Sequence, residues 1–405
     1  MKWLKLAIKN LLRNRRRALV TVLITAVGVS AILMGGGFAN FTYLSLKEMS
    51  ARSSGHLIVA HPNYFDKEEN TPMEFGLKDY QALAKTLKSD PDVRYAIARI
   101  DFSGLISNGE KSTIFMGAGV DAKYEFKVKG PFLDVKSGSV LSKRETEDDP
   151  KVMLGVDLAK SLSAKVNDSL TLMSTTVDGG LNAIDVTVQG IFSTGMPELD
   201  KRSIIVNIHT AQSLLVTDKV SSIALHLRET EATFNKYEQF TAQYPDLAWE
   251  SWLDQAFLYK GVKNLYNRIF GLLGLIILMM VFFSIYNSVN MSVVERTREI
   301  GTLRAIGTYS SEITRNFVLE GAVIGVTGAT IGIAFAALTS FGLSLAEIQM
   351  PPPPGQTNGY PLLITIPLNL YLIAAAMSLF TCTLAAWLSS RKAAKKPITG
   401  ALSHV

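Results

Sequence analysis

The sequence contains little cysteine and histidine. A single cysteine, Cys382, occurs among 405 residues, which excludes an intramolecular disulfide. A domain outside the membrane must therefore be held together by its own apolar core. Two of the five histidines, His56 and His61, are five residues apart with no cysteine nearby. We predict no metal site, find no pairing of nucleophile and base, and expect the chain not to be an enzyme.

Charge is missing from four long apolar segments. They cover residues 18–46, 269–291, 321–346 and 368–389, and none contains Asp, Glu, Lys or Arg. About 20 apolar residues are enough for a helix to cross a bilayer. We therefore predict an integral membrane protein with four transmembrane helices, which we assign to residues 18–46, 266–291, 317–346 and 368–389.

Lysine and arginine are distributed unevenly around these segments. Residues 1–17 carry seven with no acid, and residues 292–316 and 390–405 carry four each, whereas residues 347–367 carry none. Positive charge accumulates on the cytoplasmic side of a membrane protein. We therefore predict cytoplasmic termini and a cytoplasmic loop at 292–316, with 47–265 and the short loop 347–367 outside. The same groups account for the net charge of +6, so we expect no nucleic-acid partner.

Residues 1–17 predict an amphipathic helix at the membrane surface. Its apolar residues recur at helical spacing, and most of its lysines fall on the opposite face. Such a helix lies in the headgroup layer with its basic face on anionic lipid. Membrane lipid is therefore an expected partner.

Residues 47–265 alternate short strands and helices, which indicates an α+β domain. The fold class that we predict is thus a membrane α-helical bundle of four transmembrane helices plus a large α+β extracytoplasmic domain. The charged segment 143–151 predicts a boundary between two subdomains. Strands are predicted at 56–60, 93–107, 112–120, 152–154, 169–174, 184–193, 203–208 and 222–228, and helices at 77–89, 156–162, 209–216, 231–244 and 252–268.

The sequence has no phosphate-binding loop of the form Gly-x4-Gly-Lys-Ser/Thr. Ion-coupled carriers place ionisable residues within their spans, but here Glu320 alone approaches the membrane, and we predict that it pairs with Arg304 or Arg315. An energy-supplying partner is therefore needed. We expect no cofactor in this chain, with ATP and magnesium held by that partner.

Residues 294–307 are the most distinctive stretch between the apolar segments. Charge pairs three residues apart support a helix, and Gly301 and Gly307 predict a short helix over 302–306 with an exposed apolar side. From the residues alone, docking on an ATPase and lying in the membrane interface are about equally supported. The candidate docking residues are Glu295, Arg296, Arg298, Glu299, Ile300, Gly301, Leu303, Arg304, Ala305, Ile306 and Gly307.

Four glycines lie on one face of the third predicted span. Gly321, Gly325, Gly328 and Gly332 are spaced by four, three and four residues. Small residues in this pattern let a neighbouring helix approach closely. We predict a packed interface, either within the bundle or with a second copy of the chain.

The loop sequence Glu-Arg-Thr-Arg-Glu-Ile-Gly-Thr-Leu-Arg-Ala-Ile-Gly at 295–307, followed by Phe-Val-Leu-Glu-Gly at 317–321, resembles the FtsX-like permease family. Residues 10–17 and 385–401 resemble the same proteins. In the outer segment, the runs at 154–160 and 188–192, followed by Asp200, resemble the MacB-like extracytoplasmic domain. Proteins of this family form the membrane part of ABC transporters of the MacB and LolC/LolE type.

The resemblance implies a coupling helix at 295–307 that docks on a separate cytoplasmic ABC ATPase dimer in a bacterial inner membrane. It also implies a second permease copy or paralogue, and it allows a periplasmic carrier or adaptor. A lipophilic or lipoprotein cargo is the first expectation. The alternatives are drug or peptide efflux with an adaptor, and a signalling scaffold that regulates cell-wall hydrolases.

Overall fold

The computed structural model describes residues 7, 9–11, 13, 15–69, 71–130, 133–142, 149–350 and 360–394. The chain divides into two compact units. The helical unit comprises Met1–Leu44, Gly261–Gln349 and Pro361–Val405, and the outer unit comprises Ser45–Lys260 and Met350–Tyr360.

Helices and strands follow one another along the chain with short connections. The helices are α1 Arg15–Ser54, α2 Tyr80–Lys88, α3 Ala122–Lys129, α4 Val156–Ser161, α5 Pro197–Asp200, α6 Ile208–Leu215, α7 Thr233–Gln243, α8 Trp252–Gln255, α9 Phe257–Glu295, α10 Thr297–Ala305, α11 Ser310–Ala346 and α12 Leu368–Ala394. The strands are β1 Leu57–Ala60, β2 Val93–Ser107, β3 Ser112–Val120, β4 Asp134–Gly138, β5 Lys151–Gly155, β6 Ser169–Thr175, β7 Leu181–Ser193, β8 Ser203–Asn207, β9 Ser222–Leu227, β10 Ala248–Ser251, β11 Gln349–Met350 and β12 Tyr360–Pro361.

Within the described part of the chain, four helices are long and apolar enough to cross a membrane. They are α1, α9, α11 and the Leu368–Arg391 part of α12, and each coincides with a predicted span. The prediction of a four-span bundle is confirmed. Helices α1 and α9 have 40 and 39 residues. At 1.5 Å per residue each is about 60 Å long, roughly twice the hydrocarbon thickness, so both continue well past the membrane.

The apolar core of the helical unit forms along α9. Val281, Ile285, Val289 and Val293 recur every four residues, which places them on one helix face. They pack with apolar residues of three further helices: Ile300 of α10, Ile313 and Phe317 of α11, and Cys382, Ala385 and Ala386 of α12. Most of the apolar stretch of α9 is not buried, since only 11 % of it is buried, against 39 % in each of the other spans.

One sheet organises the outer unit. Among the described residues its strands run in the order β10-β1-β9-β2-β3-β8-β5-β7-β4, and β6 pairs with both β2 and β7. Strands β2, β3, β8, β5, β7 and β6 therefore form a closed cycle of pairing. Within it β3/β8 and β5/β7 are parallel and the other pairs are antiparallel.

The core of the outer unit follows from the alternation of apolar residues along these strands. In β6, for example, Leu170, Leu172 and Ser174 are buried while their neighbours are not. Strand side chains point alternately to the two faces of a sheet. The buried set from several strands includes Ile106, Phe115 and Leu154, and it forms an apolar core that no disulfide supports.

Several sequence predictions match the outer unit closely. The predicted strands 93–107 and 112–120 are β2 and β3, and Asn108 Oδ1 accepts hydrogen bonds from the backbone N–H groups of Glu110 (3.0 Å) and Lys111 (2.7 Å) in the turn. Helix α3 and the strands β4 and β10 were not predicted. Their sequences are short and carry no clear period.

The helix predicted over 252–268 is wrong at its start. Residues Trp252–Gln255 form a separate turn of helix, capped by the reciprocal hydrogen bonds of Ser251 and Asp254. The next residue, Ala256, has ψ of 59°, which is outside the helical range. Helix α9 therefore begins at Phe257, after a break in the backbone.

The predicted boundary at 143–151 falls partly on residues outside the described part, since 143–148 are not described. Strands from before and after it belong to the same sheet, because β3 pairs with β8 and β8 pairs with β5. The division into two subdomains stays a prediction.

The predicted interfacial helix at 1–17 is described only at residues 7, 9–11, 13 and 15–17, which are all helical. The tail 395–405 and residues 351–359 of the loop 347–367 lie outside the described residues.

Candidate functional site

Helix α10 lies in the charged loop 292–316, and its first residue differs from the prediction. The helix runs from Thr297 to Ala305 and passes through Gly301, which is buried. The predicted short helix over 302–306 is therefore wrong at its beginning. The Arg296–Glu299 ion pair at 3.1 Å supports the first turn, so the helix starts well before the glycine.

Gly307 ends α10 as predicted. Its φ of +103° is a conformation that favours glycine. Its N–H donates to the carbonyl of Arg304 at 3.0 Å, and the N–H of Thr308 donates to the carbonyl of Leu303 at 3.0 Å. This pair of hydrogen bonds is a Schellman motif, and it fixes the chain direction after the helix.

One face of α10 is anchored to the helical unit. Ile300 is buried among Val293, Ile313 and Phe317. The hydroxyl of Thr297 donates to the carbonyl of Val293 at 3.0 Å. The helix is thus held by apolar contact along its inner side, with its other side free for a partner.

Ion pairs join α10 and the end of α9 to α1. Arg17 donates two hydrogen bonds to Glu295, at 2.9 and 2.6 Å, and Arg13 pairs with Glu299 at 3.2 Å. Among the described residues, the carboxylate of Glu295 is therefore bound by Arg17 of another helix and not by Arg298, which is three residues away in the sequence. A bidentate pair fixes the geometry as well as the charge, so these contacts orient α10 relative to α1.

Glu320 is buried and is bound by groups from other segments. Arg296 lies 3.2 Å from its carboxylate and also stacks over the ring of Phe317, 5.5 Å from its centroid. The side-chain amide of Asn10 donates to the same carboxylate at 2.7 Å. The expected ion pair is therefore present, but its partner is Arg296 and not Arg304 or Arg315. The reason is that Arg296, the residue that precedes α10, lies beside Glu320 in the first half of α11.

The pKa of Glu299 reflects this arrangement. Burial acts to raise it, but hydrogen bonds from Arg13 and Arg296 outweigh that effect, and the pKa lies below its ordinary value. The carboxylate therefore stays charged at neutral pH.

The far side of α10 presents an apolar tip. Leu303, Ile306 and Tyr309 are exposed by 48 %, 79 % and 75 %. The predicted residues Arg298, Glu299, Ala305 and Gly307 are also exposed around them, and Arg304 is half-buried. Tyr309 was missed by the prediction, which stopped at Gly307. An exposed apolar tip with a charged rim is typical of a surface that inserts into a partner.

The predicted glycine face of α11 contacts two neighbouring helices of the same chain. A Cβ built on Gly321 or Gly325 would lie 2.7 Å from that of Ala386 or 3.1 Å from that of Cys382, both on α12. Built on Gly328 or Gly332, it would lie 2.7 Å from the Cβ of Thr25 or 2.5 Å from the carbonyl oxygen of Ala26, both on α1. The structure thus places this face against the chain's own helices.

A buried polar cluster in the outer unit was also missed by sequence reasoning. Arg99 donates to the carbonyls of Ser53 (2.6 Å) and Ser54 (3.1 Å), the last two residues of α1, and to Glu125 at 2.9 Å. Glu125 also pairs with Lys129 at 3.0 Å. Arg99 therefore caps the end of α1, which is a favourable place for a cation. No local sequence signal connects residues 46 positions apart.

Two stretches of the chain match known families. The profile described as FtsX-like permease C-terminal matches residues 271–398, and that of the MacB-like periplasmic core domain matches residues 18–242. The second match covers more than half of the chain. Together they cover most of the helical unit, including α10, and strands β1 to β9 of the outer unit.

Curated relatives agree with these matches. The lipoprotein-releasing system transmembrane protein LolC of Xylella fastidiosa is 27 % identical over 331 residues, which cover 80 % of this chain and 74 % of the relative. LolE of Haemophilus influenzae is 22 % identical over 79 % of this chain and 76 % of its own length. The macrolide export ATP-binding/permease protein MacB of Salmonella typhimurium is 22 % identical over all of this chain and 60 % of its own length.

The membrane helices, the outer sheet and both family matches lead to one assignment. The chain is a multi-pass ABC transporter permease of the LolC/LolE/MacB type, and it belongs to the FtsX-like permeases that carry a MacB-like periplasmic core domain.

Proposed function

We propose that this permease transmits the motion of a separate ABC ATPase from α10 to its outer unit, in the inner membrane of a bacterium. The observation that carries the proposal is the exposed apolar tip formed by Leu303, Ile306 and Tyr309. A surface helix with large apolar side chains facing solvent needs a partner to cover it. The sequence has no phosphate-binding loop of the Gly-x4-Gly-Lys-Ser/Thr form. In this proposal an ATPase partner therefore supplies the energy of ATP hydrolysis.

The ion pairs of α10 support a role in transmission. Arg17–Glu295 and Arg13–Glu299 tie the α9–α10 region to α1, and Arg296–Glu320 ties it to α11. Displacement of α10 by the ATPase therefore acts on these helices together. Since α1 and α9 are about twice as long as the membrane is thick, they carry that motion outward. We propose that both termini and α10 lie in the cytoplasm, which the distribution of lysine and arginine along the sequence supports.

The open face of α9 supports a second permease subunit. Most of its apolar surface is exposed, and no described atom lies within 4 Å of a Cβ built on Gly261, Gly271 or Gly274. Lipid covers such a face equally well, but glycines let another helix approach closely. We propose that an identical or paralogous permease packs here, so that two chains meet one ATPase dimer.

The cargo that we propose is lipophilic, with a lipoprotein as first choice. Relatives named for lipoprotein release match along most of this chain. The chain itself has no catalytic role in this scheme, and ATP and magnesium bind to the partner. A periplasmic carrier would receive a lipoprotein, whereas an adaptor would indicate drug or peptide export, and a cell-wall hydrolase would indicate signalling.

The docking proposal is tested with Ile306→Asp in the tagged full-length chain, purified from its native host. Desolvating a carboxylate at the centre of an interface is strongly unfavourable. We expect the variant to lose its co-purifying ATPase and the ATP hydrolysis of the complex by at least tenfold. The matched control is Leu181→Asp, which makes the same change at a residue of the outer unit that is 86 % exposed.

Normal ATPase recovery with Ile306→Asp would show that the tip is not the docking surface. The same purification identifies the other partners by mass spectrometry. A lipoprotein carrier among them would support the cargo proposal, and an adaptor or a hydrolase in its place would contradict it.

A further inference from the structure

A cavity of about 340 Å³ lies in the outer unit where the chain enters and leaves its long helices. It is lined by the last turns of α1 and α3, by the segment from Thr194 to Leu199 and by the start of α9. Small-molecule sites in proteins have volumes of about 300–1,000 Å³. The cavity is therefore large enough for part of a ligand, and nothing in the docking proposal uses it.

Much of the lining is apolar. Met196, Leu199 and Trp252 contribute to it, together with Phe257 and Leu258. Phe257 is 80 % exposed, and Leu199 and Leu258 are exposed by 43 % and 42 %. Large apolar side chains thus continue from the cavity onto the surface. Phe257 and Leu258 are the first two residues of α9.

Two basic residues, Lys129 and Arg52, also line the cavity. Arg52 pairs with Glu48 at 3.3 Å, and Lys129 pairs with the fully buried carboxylate of Glu125, which Arg99 also binds. One carboxylate therefore faces two cations, and the cluster keeps one positive charge in excess. These cations hold the pKa of Glu125 at about 2, against the opposing effect of its burial, so the carboxylate cannot take up a proton to change this balance at neutral pH.

The indole N–H of Trp252 is a buried hydrogen-bond donor at the cavity wall. Its side chain is buried, and its indole N–H has no hydrogen-bond partner within the described part of the chain. Its ring packs edge-on against Tyr259, 5.2 Å away, which holds it at the cavity wall. A buried donor without a partner is unfavourable, and an oxygen-rich ligand group could accept from it.

From this combination we infer that the cavity binds an anionic amphiphile, with its acyl chain along Met196, Leu199 and Phe257 and its phosphate or carboxylate head at Lys129 and Arg52. The apolar lining residues would bind the acyl chain of any amphiphile. The excess positive charge favours an amphiphile whose head group is anionic. The inference does not depend on ATPase docking. It names the ligand chemistry of the outer unit, whether that ligand is a lipid of the bilayer or part of a cargo.

The test uses the full-length chain in nanodiscs with phosphatidylglycerol that carries a photoreactive group at the end of one acyl chain. After illumination, mass spectrometry measures labelling of the peptide that contains residues 194–199. This peptide belongs to the sheet-bearing outer unit and contains the lining residues Met196 and Leu199. We expect labelling from phosphatidylglycerol, and about tenfold less from the zwitterionic phosphatidylcholine analogue.

Lys129→Gln should reduce the labelling about tenfold, the loss typical of one charge-assisted hydrogen bond, and Lys129→Arg should retain it. Lys160→Gln is the matched control, because Lys160 also pairs with an acid of its own helix and lies outside the cavity. If Lys129→Gln fails to fold, Leu199→Gln tests the apolar lining in the same way.

Equal labelling from both lipids, or labelling that neither variant changes, would overturn the inference. Competition by unlabelled phosphatidylglycerol or by a lipid-anchored peptide then distinguishes the two sources of the ligand. Because no ATPase is needed, failure here leaves the docking proposal intact, and failure of docking leaves this result intact.

Discussion

At the scale of single residues, the glycines of α11 let neighbouring helices pack closely because they have no side chain. At Gly332 a single added carbon would lie 2.5 Å from the carbonyl oxygen of Ala26 and 2.9 Å from the Cβ of Val29. Real side chains do not approach so closely, so α1 and α11 would have to separate. The spacing of these glycines along the sequence indicated a packed face but not which helix packs there.

We predict that Gly332→Val lowers the free energy of unfolding of the helical unit by about 1–3 kcal/mol, the usual effect of overpacking. Gly342→Val is the control on the same helix, since no described atom lies within 4 Å of a Cβ at that position. Unfolding is followed by denaturant titration in detergent. Equal losses in the two variants would show that helix propensity, not the contact with α1, is responsible.

Two buried histidines, His56 and His226, give the outer unit a dependence on pH. Desolvation lowers the pKa of His56 to about 4 and that of His226 to about 3, from an ordinary value of 6.5. The unfolded chain therefore binds more protons between these values. Stability is fully present at pH 7 and is lost as the pH falls below about 6.5.

The free energy of unfolding falls between pH 7 and pH 5, and His226→Leu should make that fall smaller by about 2 kcal/mol. Carboxylates contribute little in this window, because they titrate below it. His209→Leu is the control, since His209 is exposed. The free energy of unfolding at the two pH values is the measurement, and an unchanged slope in His226→Leu would contradict the assignment.

At the scale of elements, α10 depends on contacts that its own sequence does not contain. Its first turn is held by Arg296, which binds Glu299 on the same helix and Glu320 on α11. Glu320 is buried, whereas the Arg13–Glu299 pair is exposed. Breaking a buried pair leaves an uncompensated charge, while an exposed pair contributes little.

We therefore predict that Arg296→Met lowers the free energy of unfolding by about 3 kcal/mol, and that Arg296→Met with Glu320→Gln recovers most of it. Arg13→Ala should have an effect of about 0–1 kcal/mol. Denaturant titration of the unmodified protein, Arg296→Met, Glu320→Gln and the double variant completes a double-mutant cycle. Additive effects of Arg296 and Glu320 would show that the two side chains are not coupled.

At the scale of the whole molecule, the outer sheet links segments that lie far apart in the sequence. Strand β2 pairs with β6 through Leu105 and Met173, and this pairing closes the cycle of six strands. A closed cycle has no free edge between its first and last strands. We therefore expect both sides of the charged segment 143–151 to unfold together.

Native-state hydrogen exchange tests this cooperativity. Amides in β2–β3 and in β5–β7 should exchange with the same free energy of opening, because they share one sheet and one apolar core. Two independent subdomains would give two distinct values, and that result would favour the division that the charge of 143–151 predicts.

The sequence by itself determined the class of this protein and much of its local structure. Uncharged apolar length identifies a membrane span because burying a charge in hydrocarbon is so unfavourable. The β2–β3 hairpin is predicted because Asn108 and Gly109 fit a turn between two strand-like runs. These signals are local, and each is contained within a few turns or strands.

Only the tertiary structure decided the partners of the charged and small residues. The carboxylates of Glu295 and Glu320 each had nearby arginines in the sequence, yet Arg17 and Arg296 bind them. The continuity of α10 through Gly301 and the cavity beside Lys129 likewise depend on segments brought together by folding. A charge or a glycine is compatible with many neighbours, and packing of distant elements selects one of them.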